Sequence, residues 1–498
     1  MKIMRIGTMA VAVLALSAQA DDIGEGNSGL AIPPKPAASD GQIVVYENVE
    51  TGRLSPQNGV CGAPRRPGTA NYAAWKAAAF PYSRTHDMNT CLAYGAPYVI
   101  DVPWIFRDFD ADENDPKNYE FACTDAILQR MLEAGTEPFY RLGGPFEANL
   151  VKKYNIYPPK DPAKWARICE HIIAHYTEGW ANGFKWKMEH WEIWNEPNHN
   201  TKNDNGAKGS FWCGPRDEFK RLWKTAQLHL KARFPHLKIG GAGFAGPERE
   251  WGGEILREFA AEKVPLDFYS WHDYGTDPAR FGRSARCVRE MLDGFGYTNT
   301  LSVVDEWNYV AAWNCHGQEY SAEVWAGRLS HKSAAFIAAS MIEFDAADVD
   351  VGMFYDARIH GMNPIFNDLT GRPLRGYYPF IAWRNLLRLG TRVKTTSDFT
   401  NGVWTVAAKG TDGRIGALVV RYSDDDGEYY PKRVTLRLAS GASLADASFH
   451  MTDRDLVHTA FDPEPNADGS VDVMMYPCSF VLVETKPLSG ASRCSTAR

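Results

Sequence analysis

From about residue 54 to residue 389, short apolar runs alternate with amphipathic stretches, and few folds accept that rhythm. The apolar runs read as strands at 59–61, 81–86, 137–142, 190–194, 237–242, 266–271, 301–304 and 351–355. Between them Phe219, Leu222, Trp223, Ala226 and Leu230 recur at helical spacing. Residues 321–344 form another long helical stretch, and 377–389 form a last one, stopped by Gly390. Alternation of this kind predicts parallel strands with helices packed outside them. A doubly wound sheet would read similarly, so the count decides. Eight strands predict an α/β fold, a (β/α)8 TIM barrel over 54–389.

The remaining segments fall outside that rhythm. Residues 98–106 are strand-like without a place in the alternation, and are expected to form a β-hairpin extension after the second strand, walling the cleft. Beyond 390 the period falls to two, as in Val403-Trp404-Thr405-Val406-Ala407, with turn clusters such as Ser423-Asp424-Asp425-Asp426-Gly427 between the runs. This predicts a C-terminal β-sandwich domain over 390–490 and a tail at 491–498. A strand at 42–53 is spare to the barrel and available to the sandwich.

Ahead of it, 21–41 is rich in Pro, Gly, Ser and Asp and reads as a flexible lead-in. Residues 1–20 are built like a signal peptide, with Lys2 and Arg5, an apolar run at 6–17 and Ala18-Gln19-Ala20. Export to the periplasm or beyond is the expectation. No later stretch approaches the roughly 18 apolar residues of a membrane span, so no membrane insertion is expected. The formal charge is -7 with no basic block, which argues against a nucleic-acid partner. The chain has 9 cysteines, an odd count that leaves at least one unpaired in a monomer, with Cys494 in the tail the natural spare. No C-x-x-C occurs, which removes the usual zinc and redox pairings.

Two of the strands deliver a glutamate at their carboxyl ends. Trp191-Glu192-Ile193-Trp194-Asn195-Glu196-Pro197-Asn198 is an apolar run closed by a proline that bars further ladder pairing. Leu301-Ser302-Val303-Val304-Asp305-Glu306-Trp307-Asn308 repeats the pattern. In a parallel barrel that end is the catalytic face. Paired carboxyl groups suit glycoside hydrolysis, in which one protonates the leaving oxygen and the other attacks the anomeric carbon. Asn195 is placed to bond a sugar 2-hydroxyl, and Trp194 to supply the dry setting that a protonated acid needs. His272 and Tyr274, two residues apart, share a face from which one can reach a carboxylate; Arg84 and His86 share the cleft floor in the same way. Trp104, Trp307 and Trp313 are candidate sugar platforms, and equally candidates for the core. Structural alternatives compete throughout: ion pairs for the glutamates, a buried hydrogen-bond network for the others.

Three patterns are set aside. Gly241-Ala242-Gly243-Phe244-Ala245-Gly246 spells a dinucleotide motif, with Asp267 downstream, but Pro247 follows and Asp267 opens a strand; a tight barrel loop is expected. Asp108, Asp110 and Asp112 begin like a calcium loop without its Gly and Glu, and read as a solvated turn with an irregular Ca2+ site the lesser alternative. His171 and His175 stand four apart, yet Ile172 takes the place of the metalloprotease Glu. No metal and no cofactor are expected.

In chain order, Pro81-Tyr82-Ser83-Arg84-Thr85-His86-Asp87, the Pro138-Phe139 strand after Gly135, Asn195-Glu196-Pro197-Asn198, the stretch 267–274 and Glu306-Trp307-Asn308 resemble motifs of glycoside hydrolase family 39. This is the β-xylosidase family within the (β/α)8 retaining-glycosidase clan. The resemblance spans about 54–490, with 54–69 and the acidic segment 98–115 departing from it. It implies Glu196 as acid/base, Glu306 as nucleophile, a carbohydrate substrate and xylose-configured β-linkages first. An arabinosidase, a β-galactosidase, a non-catalytic glycan-binding barrel and a cell-surface structural module are the alternatives.

Overall fold

The computed structural model describes residues 40–86, 88, 99–144, 156–199, 211–311, 327–359, 362 and 365–487. The described residues open with β1 (Gly41–Arg53) and then build a closed barrel. Its strands are β2 (Gly59–Cys61), β3 (Tyr82–Arg84), β4 (Glu137–Leu142), β5 (His190–Ile193), β6 (Lys238–Phe244), β7 (Phe268–Gly275), β8 (Leu301–Tyr309) and β9 (Val351–Phe354). Each pairs in parallel with the next, and β9 closes on β2. The eight expected strands are these eight.

Between them lie α1 (Ala70–Ala78), α2 (Val102–Ile105), α3 (Ala122–Glu133), α4 (Pro162–Thr177), α5 (Arg216–Arg233), α6 (Trp251–Ala261), α7 (Pro278–Gly294) and α8 (His331–Ala346). The helix starts are written in the sequence. Asp161 and Asp277 each accept backbone N–H groups at an N-cap and each is followed by proline, whose missing N–H costs nothing there. A last helix, α9 (Tyr378–Leu389), ends at Gly390, whose φ of 92° suits a residue without Cβ. No helix among the described residues is long and apolar enough to cross a membrane.

One expectation fails. Of the stretch 98–106, the described residues 99–106 form no hairpin: 99–100 turn, and 102–105 make the single helical turn α2 with Pro103 in its first positions. Proline has no N–H for a ladder. Val99, Ile100 and Val102 are apolar because they are buried against the barrel, and Asp101 sits there as the buried ion-pair partner of Arg141. The described part of the 321–344 stretch is helical from His331 on. His171 and His175 serve the packing of α4: His171 stacks on Trp180 and His175 on Phe121. Asp108 and Asp112 cap turns, and Asp110 pairs with Lys160. Cys61, Cys123, Cys169, Cys213, Cys287 and Cys478 carry free thiols; Cys494 lies outside the described residues.

The C-terminal region holds β10 (Thr391–Ser397), β11 (Val403–Lys409), β12 (Ile415–Arg421), β13 (Lys432–Leu438), β14 (Ser448–Thr452), β15 (Thr459–Phe461), β16 (Val471–Met475) and β17 (Ser479–Glu484). With β1 they make one continuous sheet in the order β15-β14-β17-β12-β11-β10-β1-β13-β16. It curls so that Ile43, Val434 and Val473 from one end share a core with Phe449, Met451 and Val483 from the other. The sandwich is thus one sheet closing on itself. Alternation along β12 then makes physical sense of an all-buried strand. Ala417 and Val419 enter that core, while Leu418 and Val420 join the core shared with the barrel helices.

Candidate active site

The carboxyl ends of β3, β5, β7 and β8 converge on one cluster of buried polar groups. At its centre is Arg84, on the last residue of β3 and fully buried. Its Nε lies 2.7 Å from Glu192 Oε2 and 2.8 Å from Asp305 Oδ2. Nη1 donates to Glu306 Oε1 at 2.6 Å and Nη2 to Asn195 Oδ1 at 2.7 Å. One guanidinium therefore serves three carboxyl groups.

Local backbone geometry makes this convergence possible. After β5, Trp194 (φ 79°) and Glu196 (φ 41°) both take left-handed conformations, each of which costs on the order of 1 kcal/mol or more. The turn is held by Trp194 N–H donating to Leu142 O and Glu196 N–H donating to Gly243 O. On β8 the register against β7 slips by one residue, because Trp271 pairs with Val304 while His272 pairs with Glu306. Asp305 is the extra residue of a bulge. A bulge cancels the usual alternation, so the consecutive side chains of Asp305 and Glu306 both turn to Arg84.

Glu306 is gripped at both oxygens, by Arg84 at Oε1 and by the Tyr274 hydroxyl donating to Oε2 at 2.7 Å. Burial raises its carboxyl above the usual range, and His272 and Arg84 temper that rise. Burial, with Glu306 beside it, keeps the Tyr274 phenol protonated and so a donor. His272 Nδ1 is 2.7 Å from Glu196 Oε1 and 3.4 Å from Glu306 Oε2. Burial lowers the His272 imidazole to about 4, so the ring is neutral at ordinary pH. His86 is likewise neutral, through burial and then the nearby Arg141 and Arg84, with Nε2 3.6 Å from Glu306 Oε1. The amide nitrogen of Asn195 is buried and has no hydrogen-bond partner among the described residues.

Glu192 and Asp305 complete the floor. Burial works against ionisation of Glu192, but Arg84 and hydrogen bonds from Asp305, Arg84 and Ser270 bring it below the usual range. Burial drives Asp305 well above its usual range despite Arg84. Gly243, at a φ of 56°, passes directly over this floor. The Gly241 to Gly246 pattern is thus a tight strand-end turn that leaves room for polar side chains.

The structure brings Arg84, His86, Asn195, Glu196, His272, Tyr274 and Glu306 together, and turns Trp307 away from them. Trp307 is a correction: it is fully buried and packs on Phe281, Phe344 and Phe354 in the layer between barrel and helices. As the neighbour of Glu306 beyond the bulge it must point the opposite way. The Trp194 indole also faces outward, among Trp165, Trp212 and Phe219, and does not furnish the setting of Glu196; His272 does. Trp104 is half-buried under the guanidinium of Arg107, 3.8 Å from the ring centre. Trp313 lies outside the described residues. Glu192 and Asp305 were missed. A lone acid inside an apolar strand run is the signal that finds Glu192, since it cannot face the apolar helix layer.

Chemically, the cluster offers two carboxyl groups at strand ends with a neutral imidazole between them. The ligand atoms of Glu196, His272 and Glu306 all lie within 4.8 Å of one another, a set that could also hold a metal ion. Carboxyl groups of glycosidases that retain anomeric configuration stand roughly 5–5.5 Å apart, and those of inverting enzymes roughly 6.5–9.5 Å apart.

Residues 42–355 match the family model described as "Glycosyl hydrolases family 39". Among curated proteins, a β-xylosidase of Caldicellulosiruptor saccharolyticus is 33% identical over 210 residues, 40% of this chain and 40% of that protein. A β-xylosidase of Geobacillus stearothermophilus is 28% identical over 190 residues, 36% of this chain and 35% of that one. The chain thus aligns with well under half the length of these relatives. Solved structures match more broadly. A glucosidase from Croceicoccus marinus gives a TM-score of 0.69 at 22% identity, over 90% of this chain and 100% of its own. The GH39 enzyme from Xanthomonas axonopodis pv. citri gives 0.64 at 17% identity, over 91% and 98%. At such identities the likeness speaks for the fold.

Proposed function

Because the chain belongs to glycosyl hydrolase family 39, we propose that it hydrolyses glycosidic bonds by double displacement, with net retention, using Glu306 as nucleophile and Glu196 as acid/base. The observation that supports this reading is the close approach of the two strand-end carboxyl groups, an oxygen of each lying within 4.8 Å of the other, in keeping with the shorter separation of retaining sites.

The steps follow from the contacts. Glu306 attacks the anomeric carbon while Glu196 gives its proton to the departing glycosidic oxygen, leaving a glycosyl ester on Glu306. Arg84 and Tyr274 fix the attacking carboxylate, so little reorganisation is needed as its charge moves into the new bond. Glu196, now ionised, takes a proton from water, and the resulting attack breaks the ester. The open N–H of Asn195 is available to the sugar 2-hydroxyl, a contact that strengthens in the transition state. β-Linked xylose is the first substrate class to try, in keeping with the β-xylosidases among the partial relatives. The N-terminal twenty residues support export, and the substrate is then a glycan outside the cytoplasm.

A panel of aryl glycosides tests this, with product stereochemistry followed by NMR. Retained configuration is expected from the wild type. Glu306→Ala should lose several orders of magnitude in kcat, and azide should restore turnover with an inverted product. Inverted product from the wild type would remove Glu306 as nucleophile. Glycan binding without turnover would favour the binding protein.

A further inference from the structure

Asp305 has no part in the steps above, yet it is fully buried beside the groups that do. Its two oxygens face two different neighbours. Oδ2 crowds the same Arg84 Nε as Glu192 Oε2, at 2.8 and 2.7 Å. That nitrogen carries one hydrogen, and it is directed to Glu192, so Asp305 Oδ2 receives no bond. Two ionised carboxylates at one N–H repel, and with both side chains fully buried one of them must hold a proton. With the proton on Oδ2, Asp305 donates to Glu192 and every atom there is matched.

Oδ1 is then a bare acceptor. It stands 3.5 Å from Nε2 of His272, and both atoms are buried without any other partner among the described residues. The opposite arrangement, with the proton on Oδ1, would set bare oxygens of Asp305 and Glu192 against each other. Which ring nitrogen of a neutral histidine holds its proton is set by what the other one faces. We propose that Asp305 is a positioning residue: it fixes His272 as the Nε2–H tautomer, so that Nδ1, 2.7 Å from Glu196 Oε1, accepts the proton of Glu196 and keeps it in place for the leaving group. The consequence for catalysis rests on the acid/base reading of Glu196 given above; the tautomer itself does not.

The surroundings are consistent with this assignment. Facing His272 are Glu196 and Glu306, with Arg84, Glu192 and His86 further off. Facing Asp305 are Arg84, Glu192, Glu306 and the Cys61 thiol, which burial keeps protonated. Among the groups near Glu196, besides His272, are Glu306 and Tyr274. Glu306 has its own donors in Arg84 and Tyr274 and makes no demand on Nδ1. In the free enzyme the Nδ1 lone pair rewards a protonated Glu196. After proton donation it faces a carboxylate, and that unfavourable pairing drives Glu196 to take a proton from the incoming water.

The test is nitrogen-15 NMR of the whole protein labelled at histidine, with His272→Gln identifying the His272 signals. Between pH 5 and 8 the wild type and Asp305→Asn should both show a protonated Nε2 and an unprotonated Nδ1, because an asparagine amide offers the same oxygen to His272 and the same donor to Glu192. A protonated Nδ1 in the wild type overturns the proposal. In kinetics, Asp305→Leu should move the alkaline limb of kcat/KM down by about one pH unit, the scale of one lost hydrogen bond, while Asp305→Asn keeps the wild-type limb. An unmoved limb in a folded Asp305→Leu also overturns it. If that variant does not fold, the wild-type and Asp305→Asn spectra decide alone. If the wild type hydrolyses no glycoside, the glycosidase reading fails while the spectra still judge the Asp305–His272 pair.

Discussion

A single methyl group at position 243 would enter space already shared by three polar atoms. A Cβ there would lie 2.9 Å from Arg84 Nη2, 3.1 Å from Glu192 Oε1 and 3.2 Å from His272 Nε2, on a backbone at a φ of 56°. Arg84 cannot yield, because its nitrogens are held by Glu192, Glu306 and Asn195. Gly243→Ala should cost roughly 1–3 kcal/mol of stability and at least ten-fold in kcat, measured by thermal unfolding and turnover on one aryl glycoside. Full activity would mean the floor is softer than its contacts imply. Asp305 gives a second expectation at this scale. Unfolded, its carboxyl titrates near 3.8; folded, burial holds it well above that. The folded state therefore binds the proton more tightly, and stability falls as pH rises from about 4 through the folded value. Asp305→Asn does not titrate, so its Tm should fall less between pH 4 and pH 8 than that of the wild type. A parallel fall in both proteins would show that Asp305 is ionised in the fold. The placement of Asp305 was not legible in the sequence, because strict two-residue alternation assigns adjacent residues to opposite faces and the bulge breaks that rule. The same rule did place Arg84 with His86, and His272 with Tyr274.

Among the elements, those with period and punctuation were legible and those shaped by tertiary contact were not. The eight barrel strands lie where apolar runs meet turn residues, and α9 stops where Gly390 says it should. Segment 98–106 misled because burial against a barrel and burial in a strand use the same residue types. Caps are local, and their cost should be measurable in isolation. Asp161 accepts from the N–H groups of Ala163 and Lys164, so Asp161→Ala should cost about 1 kcal/mol in thermal or urea unfolding with turnover preserved. An unchanged Tm would show that Pro162 alone starts α4. The strand β1 is the opposite case, since its partners are distant in sequence. It lies between β10 and β13, antiparallel to one and parallel to the other, with Ile43 and Val45 in the sheet's core. The run 42–53 reads as a strand available to the sandwich, but nothing local in it reveals a place at the middle of a sheet whose other members begin at residue 391.

At the scale of the molecule, the curled sheet has no free inner or outer face in the region of β12 and β17. Leu418, Val420, Phe480 and Leu482 leave its outer side and join the core that also contains α8 and α9 residues such as Phe336 and Trp383. Hydrogen bonds cross the same boundary, from Trp404 Nε1 to Glu343 and from the Tyr422 hydroxyl to Thr276 O. The Tyr309 hydroxyl, on the strand that carries Glu306, donates to Asp424 in the loop after β12. Uncovering four such side chains would forfeit roughly 1.5–3 kcal/mol each, a sum comparable with the whole stability of a domain. Neither half should therefore persist without the other, and barrel and sheet should melt in one calorimetric transition. Leu418→Asp, which puts a charge on the shared face, should lower that single Tm by many degrees and lose activity along the same curve. Two resolved transitions, the first leaving turnover intact, would mean that the sheet is a passenger on an independently stable barrel. One transition would make the sheet part of what holds Glu306 in place, through Tyr309 and Asp424.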